Sequence, residues 1–210
     1  MSEGCAELHR LARRGTQHTF PFDAAHLPVN GIYVLFERGE ECHGGARIVR
    51  VGTHTGDRQL RSRVLQHFVN ENKDRSIFRK NIGRALLNRA GDSYLVEWDH
   101  DRTSHADRAR YGDESDPEKR RAIETAVTAY MRERFWFSVF KMDDKSERLS
   151  LESRLISTVS LCAECGPSTD WLGRFSPKHK IRAGGMWLVN ELGKVPLSAD
   201  DLSRLATMVV

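Results

Sequence analysis

The sequence contains two short apolar runs separated by a polar, glycine-containing segment, and this pattern constrains the fold more than any other feature. The run GIYVLFE (31–37) is rich in β-branched and aromatic residues, and RIVRVG (47–52) ends on a glycine. Two such runs joined by a short polar segment predict an antiparallel hairpin. A third run, FWFSVFKM (135–142), has the same composition and predicts a third strand. The chain is therefore expected to fold around a small sheet.

Apolar residues at helical spacing predict helices around this sheet. Ser76 is a suitable N-cap for one of them, and Pro117 stands at a first-turn position of another. The predicted helices cover residues 60–70, 76–90, 117–135, 146–162 and about 198–208. No internal repeat and no linker separates these elements, which favours one domain with an inserted helical segment.

Composition excludes membrane-spanning and disulfide-rich proteins. The chain has 210 residues, of which 39% are hydrophobic and 30% charged, and no apolar run approaches the roughly 20 residues of a membrane span. The N-terminus lacks the apolar stretch of a signal peptide. Four cysteines suit reduced thiols better than a disulfide framework. We therefore expect a soluble, cytoplasmic protein with no membrane partner.

The pair Cys162 and Cys165 has the spacing of half a zinc site. No second pair follows at finger spacing, although Cys42 and His179 could serve as distant ligands. Ordinary cysteines remain the default interpretation of this pair.

Positive charge is concentrated between Arg58 and Arg89. This segment contains nine Lys or Arg residues and only two acidic residues, Glu71 and Asp74. Its net charge is +7, in a chain whose formal net charge is +4. Such a run is either a solvated helix face or a surface that contacts phosphates.

Four side chains interrupt otherwise regular apolar patterns. Arg63 and His67 lie four residues apart beside the apolar face of one predicted helix, and Glu152 flanks that of another. Tyr33 stands near the start of the first strand. Each has an ordinary explanation: an arginine at the core edge, a hydrogen-bonded histidine, a carboxylate in a salt bridge and a packed tyrosine. A half-buried carboxylate could equally hold a metal ion.

Taken in order, these residues resemble the GIY-YIG nuclease family. GIYVLF (31–36) carries the first signature intact, and VRVG (49–52) stands where the second is expected. LRSRVLQH (60–67) is similar to the family's Arg helix, and SLESRLI (150–156) to its Glu helix. A group of bacterial GIY-YIG domain proteins is also similar through RVGTH (50–54), SIFRKNIGRALL (76–87) and WLGRFSP (171–177).

The resemblance implies an α/β domain of the α+β type, with a three-stranded antiparallel sheet flanked by helices. It covers a core at about residues 28–165, including an inserted segment at 99–134. Residues 1–27 form an N-terminal extension, and residues 166–210 form a C-terminal extension packed on the core.

The implied activity is hydrolysis of DNA phosphodiesters with one divalent metal ion, Mg²⁺ or Mn²⁺. Tyr33 would activate the attacking water, Arg63 would hold the scissile phosphate, His67 would assist proton transfer and Glu152 would ligate the metal. The products would carry a 5′-phosphate and a 3′-hydroxyl. Double-stranded DNA is the expected partner, a homodimer would cut both strands, and roles in restriction, defence or DNA repair fit this activity.

One position departs from the family pattern. Arg50 replaces the family's second tyrosine and could either support phosphate binding or mark a weakened enzyme. We expect His54, Arg61, Arg75, Arg79 and Lys80 to contact nucleic acid. The alternative is a non-catalytic nucleic-acid-binding module that retains the nuclease fold.

Overall fold

The computed structural model describes residues 2–112 and 116–209 and contains one four-stranded antiparallel sheet. The strands are β1 (His18–Thr19), β2 (Gly31–Cys42), β3 (Gly45–Gly52) and β4 (Phe135–Lys141), in the spatial order β1-β4-β2-β3. The three predicted strands are confirmed. The fourth, β1, is too short to leave an alternating pattern in the sequence.

The hairpin between β2 and β3 is tighter than the polar segment suggested. Both strands extend into that segment, so that only His43 and Gly44 form the turn, with φ values of 48° and 71°. Two-residue hairpin loops of this type require positive φ at both positions, because their twist then matches that of the strands. The long hairpin fixes which residues of the two strands face each other.

Nine α-helices surround the sheet in the described part of the chain, and the predicted ones are confirmed within a few residues at each end. They are α1 (Ser2–Arg14), α2 (Leu60–Phe68), α3 (Ile77–Ala90), α4 (Leu95–Asp99), α5 (His105–Tyr111), α6 (Pro117–Arg134), α7 (Lys145–Ser160), α8 (His179–Gly184) and α9 (Ala199–Met208). Ser76 caps α3 as expected, accepting from the Arg79 N–H. Within the predicted insertion, residues 113–115 lie outside the described residues.

Each face of the sheet has its own apolar core, because alternate residues of a strand point to opposite faces. Tyr33 and Leu35 face the core formed with α2, α3 and α6, whereas Ile32, Val34 and Phe36 face the core formed with α1, α7 and α9. The first face therefore carries the tyrosine, and the second supports the helix that carries Glu152.

The C-terminal segment lies against the edge strand β3. The Trp187 N–H donates to the Val49 carbonyl (2.8 Å), and the buried Trp171 and Trp187 side chains both donate to Glu37 (2.8 Å each). No helix in the described residues has the length and apolarity that a bilayer crossing requires.

Candidate active site

The hairpin places Tyr33 and Arg50 on the same face of the sheet. Tyr33 pairs with Gly52, and Leu35 with Arg50, so the two polar side chains stand two residues apart along the sheet. A Cβ on Gly52 would lie 2.3 Å from the Tyr33 hydroxyl oxygen. Glycine is therefore required at the end of β3, because any side chain there would collide with the Tyr33 ring.

Tyr33 belongs to a buried chain of three hydroxyl and imidazole groups. Its hydroxyl lies 2.8 Å from His67 Nε2, and His67 Nδ1 lies 2.6 Å from the Ser76 hydroxyl. Burial, together with the charges of Arg50 and Arg63, lowers the pKa of His67 well below its ordinary value. A neutral imidazole has one donor and one acceptor nitrogen. His67 can therefore accept from one of its two partners, Tyr33 or Ser76, while it donates to the other.

Arg50 is 4% exposed, yet among the described residues no carboxylate forms an ion pair with it. Its Nη1 donates to the Trp187 carbonyl (2.5 Å), and the guanidinium lies 4.8 Å from the centre of the Phe78 ring. Its Nε is buried without a hydrogen-bond partner in the described structure. A buried arginine with an unused donor is suited to an anionic ligand.

Glu152 reaches the site from the other side of the sheet. Its helix α7 packs on the second face, but Glu152 is half-buried near the end of the edge strand β3, where its carboxylate accepts from the Thr53 N–H. Burial raises the pKa of Glu152, while Arg50 and the Thr53 N–H oppose that rise. No salt bridge in the described part of the chain involves Glu152. The salt-bridge explanation of this carboxylate is therefore not supported.

Arg63 lies on α2 at the mouth of the site and is half-buried. Its Nη1 makes only long contacts, to Gln66 Oε1 (3.3 Å) and to the Arg75 carbonyl (3.4 Å). It borders a cleft of about 320 Å³ lined by Thr53, His54, Thr55, Gln59, Ser62, Arg63 and Gln66. The charges of Arg50 and Arg63 affect the pKa values of both His67 and Glu152.

His54 lines the same cleft but is held by the backbone. Its Nε2 accepts from the Gly31 N–H (3.4 Å), and its Nδ1 therefore donates to the Gly56 carbonyl (2.6 Å). Burial lowers the pKa of His54. The histidine is thus a neutral brace for the loop after β3.

The other residues expected to contact nucleic acid differ in their surroundings. Arg75 is exposed, whereas Arg61 donates to the Leu27 (2.8 Å) and Ala25 (2.9 Å) carbonyls and is half-buried. Both lie near α2, and Arg75 remains available to a ligand at the surface.

Arg79 and Lys80 require a correction. Arg79 is 0% exposed and pairs with the buried Glu124 (2.8 Å) and with Thr128 (2.7 Å), so it cannot contact nucleic acid in this structure. Lys80 is 5% exposed and donates to the His100 carbonyl (3.3 Å), and burial lowers its pKa to about 8. Part of the basic run therefore lies inside the protein, where carboxylate and carbonyl oxygens accept the hydrogen bonds of its side chains.

Three contributors to the site escaped the sequence argument. Ser76 was expected only as a helix cap, and the Thr53 N–H and the Trp187 carbonyl are backbone groups without any sequence signal. Ser76 lies nine residues after His67, at the start of the next helix, and this spacing gave no signal of a contact between them.

Comparison with known proteins identifies the family. A family model described as the GIY-YIG domain matches residues 6–210, which extends beyond the expected core at both ends. No curated protein and no solved structure matches the chain. Because the family model spans nearly all of the sequence, the chain belongs to the GIY-YIG domain family, which is a family of nucleases.

Proposed function

We propose that this protein is a metal-dependent endonuclease that hydrolyses phosphodiester bonds in double-stranded DNA. The observation that supports the proposal is that Tyr33 bonds to His67 and that the charges of Arg50 and Arg63 affect both His67 and Glu152. Neither arginine forms an ion pair among the described residues. The side chains that the family resemblance assigned to catalysis supply these groups.

Tyr33 and His67 would activate the attacking water. With Nδ1–H donating to Ser76, the Nε2 lone pair of His67 accepts the phenolic proton of Tyr33. In the same step the Tyr33 oxygen takes a proton from water as that water attacks phosphorus and the P–O3′ bond breaks. The departing 3′-oxygen takes up a proton from solvent, and His67 releases its own to solvent. Ser76 can hold this tautomer because its oxygen has two lone pairs, one of which accepts from the Arg79 N–H (3.2 Å).

The two arginines would bind the phosphate. Charge builds on the nonbridging oxygens of a phosphodiester in the transition state, and planar guanidinium groups can donate to them in pairs. Arg63 borders the cleft, and Arg50 has an unused buried donor. Arg50 thus offers a positive charge where the family pattern has its second tyrosine.

Glu152 would hold one Mg²⁺ or Mn²⁺ ion. The donor fits, because a hard cation prefers carboxylate oxygen and this carboxylate has no salt bridge among the described residues. When bound, the ion supplies Lewis-acid polarisation of the phosphoryl oxygen. Protein ligands to magnesium are often limited to one or two carboxylates, with water and phosphate completing the shell.

Nicking of a supercoiled plasmid in Mg²⁺ or Mn²⁺ tests the proposal. We expect Tyr33→Phe and Glu152→Gln each to lower the nicking rate by at least about 100-fold, the scale of general acid–base catalysis. Tyr111→Phe and the exposed Glu71→Gln are matched controls that should keep the wild-type rate.

The alternative is a module that binds nucleic acid without cutting it, and Arg50 in place of a tyrosine favours it. Fluorescence anisotropy of a labelled DNA duplex over a salt series distinguishes the two. Salt-dependent binding without nicking in either metal would support the binding module, and nicking that survives Glu152→Gln would refute the assignment of the catalytic site. The same duplex assay at several protein concentrations tests whether a homodimer binds.

A further inference from the structure

All four cysteines of the chain meet in one buried place, although they come from three distant segments. Cys5 lies on α1, Cys42 ends β2, and Cys162 and Cys165 follow α7. Cys165 Sγ lies 3.5 Å from Cys5 Sγ and 3.4 Å from Cys42 Sγ. This cluster lies on the second face of the sheet, in the core opposite Tyr33.

The sulfur spacing differs from that of a disulfide. All four cysteines are free thiols, and the sulfur–sulfur distances of 3.4–3.5 Å exceed the roughly 2.05 Å of an S–S bond. For comparison, tetrahedral Zn–S bonds of about 2.3 Å place their sulfurs roughly 3.8 Å apart. The 3.5 Å between the Cys5 and Cys165 sulfurs is therefore close to the spacing around a single tetrahedral metal ion.

His43 places a ring nitrogen against two of the thiols. Its Nε2 lies 3.4 Å from both Cys162 Sγ and Cys165 Sγ, and its Nδ1 lies 3.2 Å from a Glu164 carboxylate oxygen. A carboxylate on the far nitrogen is the usual second partner of a metal-bound histidine, because it fixes the ring and its tautomer.

The backbone of His43 provides independent support. It occupies a turn position with φ 48°, where glycine or asparagine is preferred and a bulkier residue is strained. Placing histidine there points an imidazole at the thiols.

His9 and Cys42 border this cluster, and other contacts occupy or outrank them as ligands. Both ring nitrogens of His9 are already used by the backbone, one near the Cys5 carbonyl (2.8 Å) and one by the Ile48 N–H (3.0 Å). Cys42 contacts His9 and Cys165, but the Cys162-x-x-Cys165 spacing supplies the pair most typical of zinc sites.

We propose that this cluster is a structural zinc site, with Cys5, His43, Cys162 and Cys165 as ligands. On binding, Zn²⁺ replaces the three thiol protons, which pass to water, and forms three Zn–S bonds and one Zn–N bond to His43. The ligand atoms of Cys5, His43 and Cys165, together with one of His9, lie within 4.8 Å of one another. Cys162 Sγ is outside that group but lies 3.4 Å from His43 Nε2, so it must move toward Cys5 to complete the site.

The site would brace the catalytic half of the molecule without taking part in the reaction. It joins α1, the hairpin turn and the end of α7, the helix that presents Glu152. Glu152 lies eight residues before the end of α7 at Ser160, which is roughly 12 Å along the helix, and Cys162 follows two residues later. This proposal does not depend on the nuclease assignment.

Metal content and X-ray absorption of the full-length protein test the proposal. We expect about one zinc per chain after extensive dialysis, with an EXAFS shell of three sulfurs at about 2.3 Å and one nitrogen at about 2.0 Å. Substitution with Co²⁺ should give the intense visible spectrum of a tetrahedral thiolate site. Wild-type protein that purifies without zinc and fails to bind Zn²⁺ or Co²⁺, or that shows an oxygen-only shell, would overturn the proposal.

Variants test the ligand assignment. His43→Asn suits the turn, because asparagine tolerates positive φ, yet it removes the imidazole, so we expect a folded protein that has lost its zinc. Cys162→Ser should also lose the metal, whereas the matched Cys42→Ser should keep one zinc per chain. Loss of zinc from Cys42→Ser with retention by Cys162→Ser would overturn the assignment.

Discussion

The close packing of the Tyr33 ring over Gly52 gives a prediction whose size follows from the distances between them. In Gly52→Ala, the new Cβ would lie 2.3 Å from the Tyr33 hydroxyl oxygen and 2.5 Å from Cζ. Ordinary contacts begin at 3.4 Å, so the phenol must retreat by about 1.1 Å. A shift of that size breaks or bends the 2.8 Å hydrogen bond to His67.

The expected consequences are separate losses of stability and of activity. Overpacking of this kind costs about 1–3 kcal/mol of the free energy of unfolding, which for a chain of this length is a fall in Tm of roughly 2–12 °C. A misplacement of about 1 Å at a reacting group lowers the rate by on the order of 100-fold.

Thermal unfolding and plasmid nicking measure the two effects. Gly4→Ala serves as the control, since its Cβ would meet only the Leu202 side chain at an ordinary 3.6 Å. If Gly52→Ala nicked DNA at the wild-type rate with an unchanged Tm, the argument that this glycine positions the tyrosine would be refuted.

Three further predictions concern buried groups. Burial lowers the pKa of His67, so below about pH 6.5 the unfolded chain binds a proton at His67 more readily than the folded protein does. The contribution of His67 to the free energy of unfolding is therefore complete above about pH 6.5 and is lost as the pH falls below that value. Urea denaturation should therefore show a steeper acid loss in wild type than in His67→Gln, by up to about 1.4 kcal/mol per pH unit, and equal slopes would contradict this. Arg79→Met should lower the free energy of unfolding by about 3–5 kcal/mol, because it leaves the Glu124 charge unpaired. Adding Glu124→Leu should restore much of that loss. If Arg79→Met alone were as stable as wild type, the pair would not be buried. Ser76→Ala should remove about 1 kcal/mol through the lost helix cap and also slow nicking, whereas an unchanged nicking rate would exclude Ser76 from the proton relay.

Local patterns made much of the fold predictable. The strands of the hairpin, the third strand and the helices near residues 60–70, 76–90 and 146–162 are confirmed, because each follows from residue type and periodicity within a short window. The short β1 could not be predicted from two residues. It exists only because β4 offers a free edge to pair with.

The surroundings of individual charges were less predictable. The basic run between Arg58 and Arg89 gave equal support to a solvated face and to a phosphate-binding surface. The structure instead buries Arg79 against Glu124, which is 45 residues away along the chain. Periodicity within α3 cannot reveal a partner on another helix, so this outcome lay beyond a local argument.

By itself, the sequence determined the order of the three longer strands and of the predicted helices, and the family, because those features reside in short, ordered patterns. It also supplied the candidate catalytic residues, which stay a prediction. Only the tertiary structure decided that Glu152 reaches around the sheet edge to Thr53, that Arg50 is held by the Trp187 carbonyl, and that the cysteines meet beside His43. Each of these contacts joins residues far apart in the chain. Their formation depends on how the two cores pack against the sheet, which no single segment of sequence specifies.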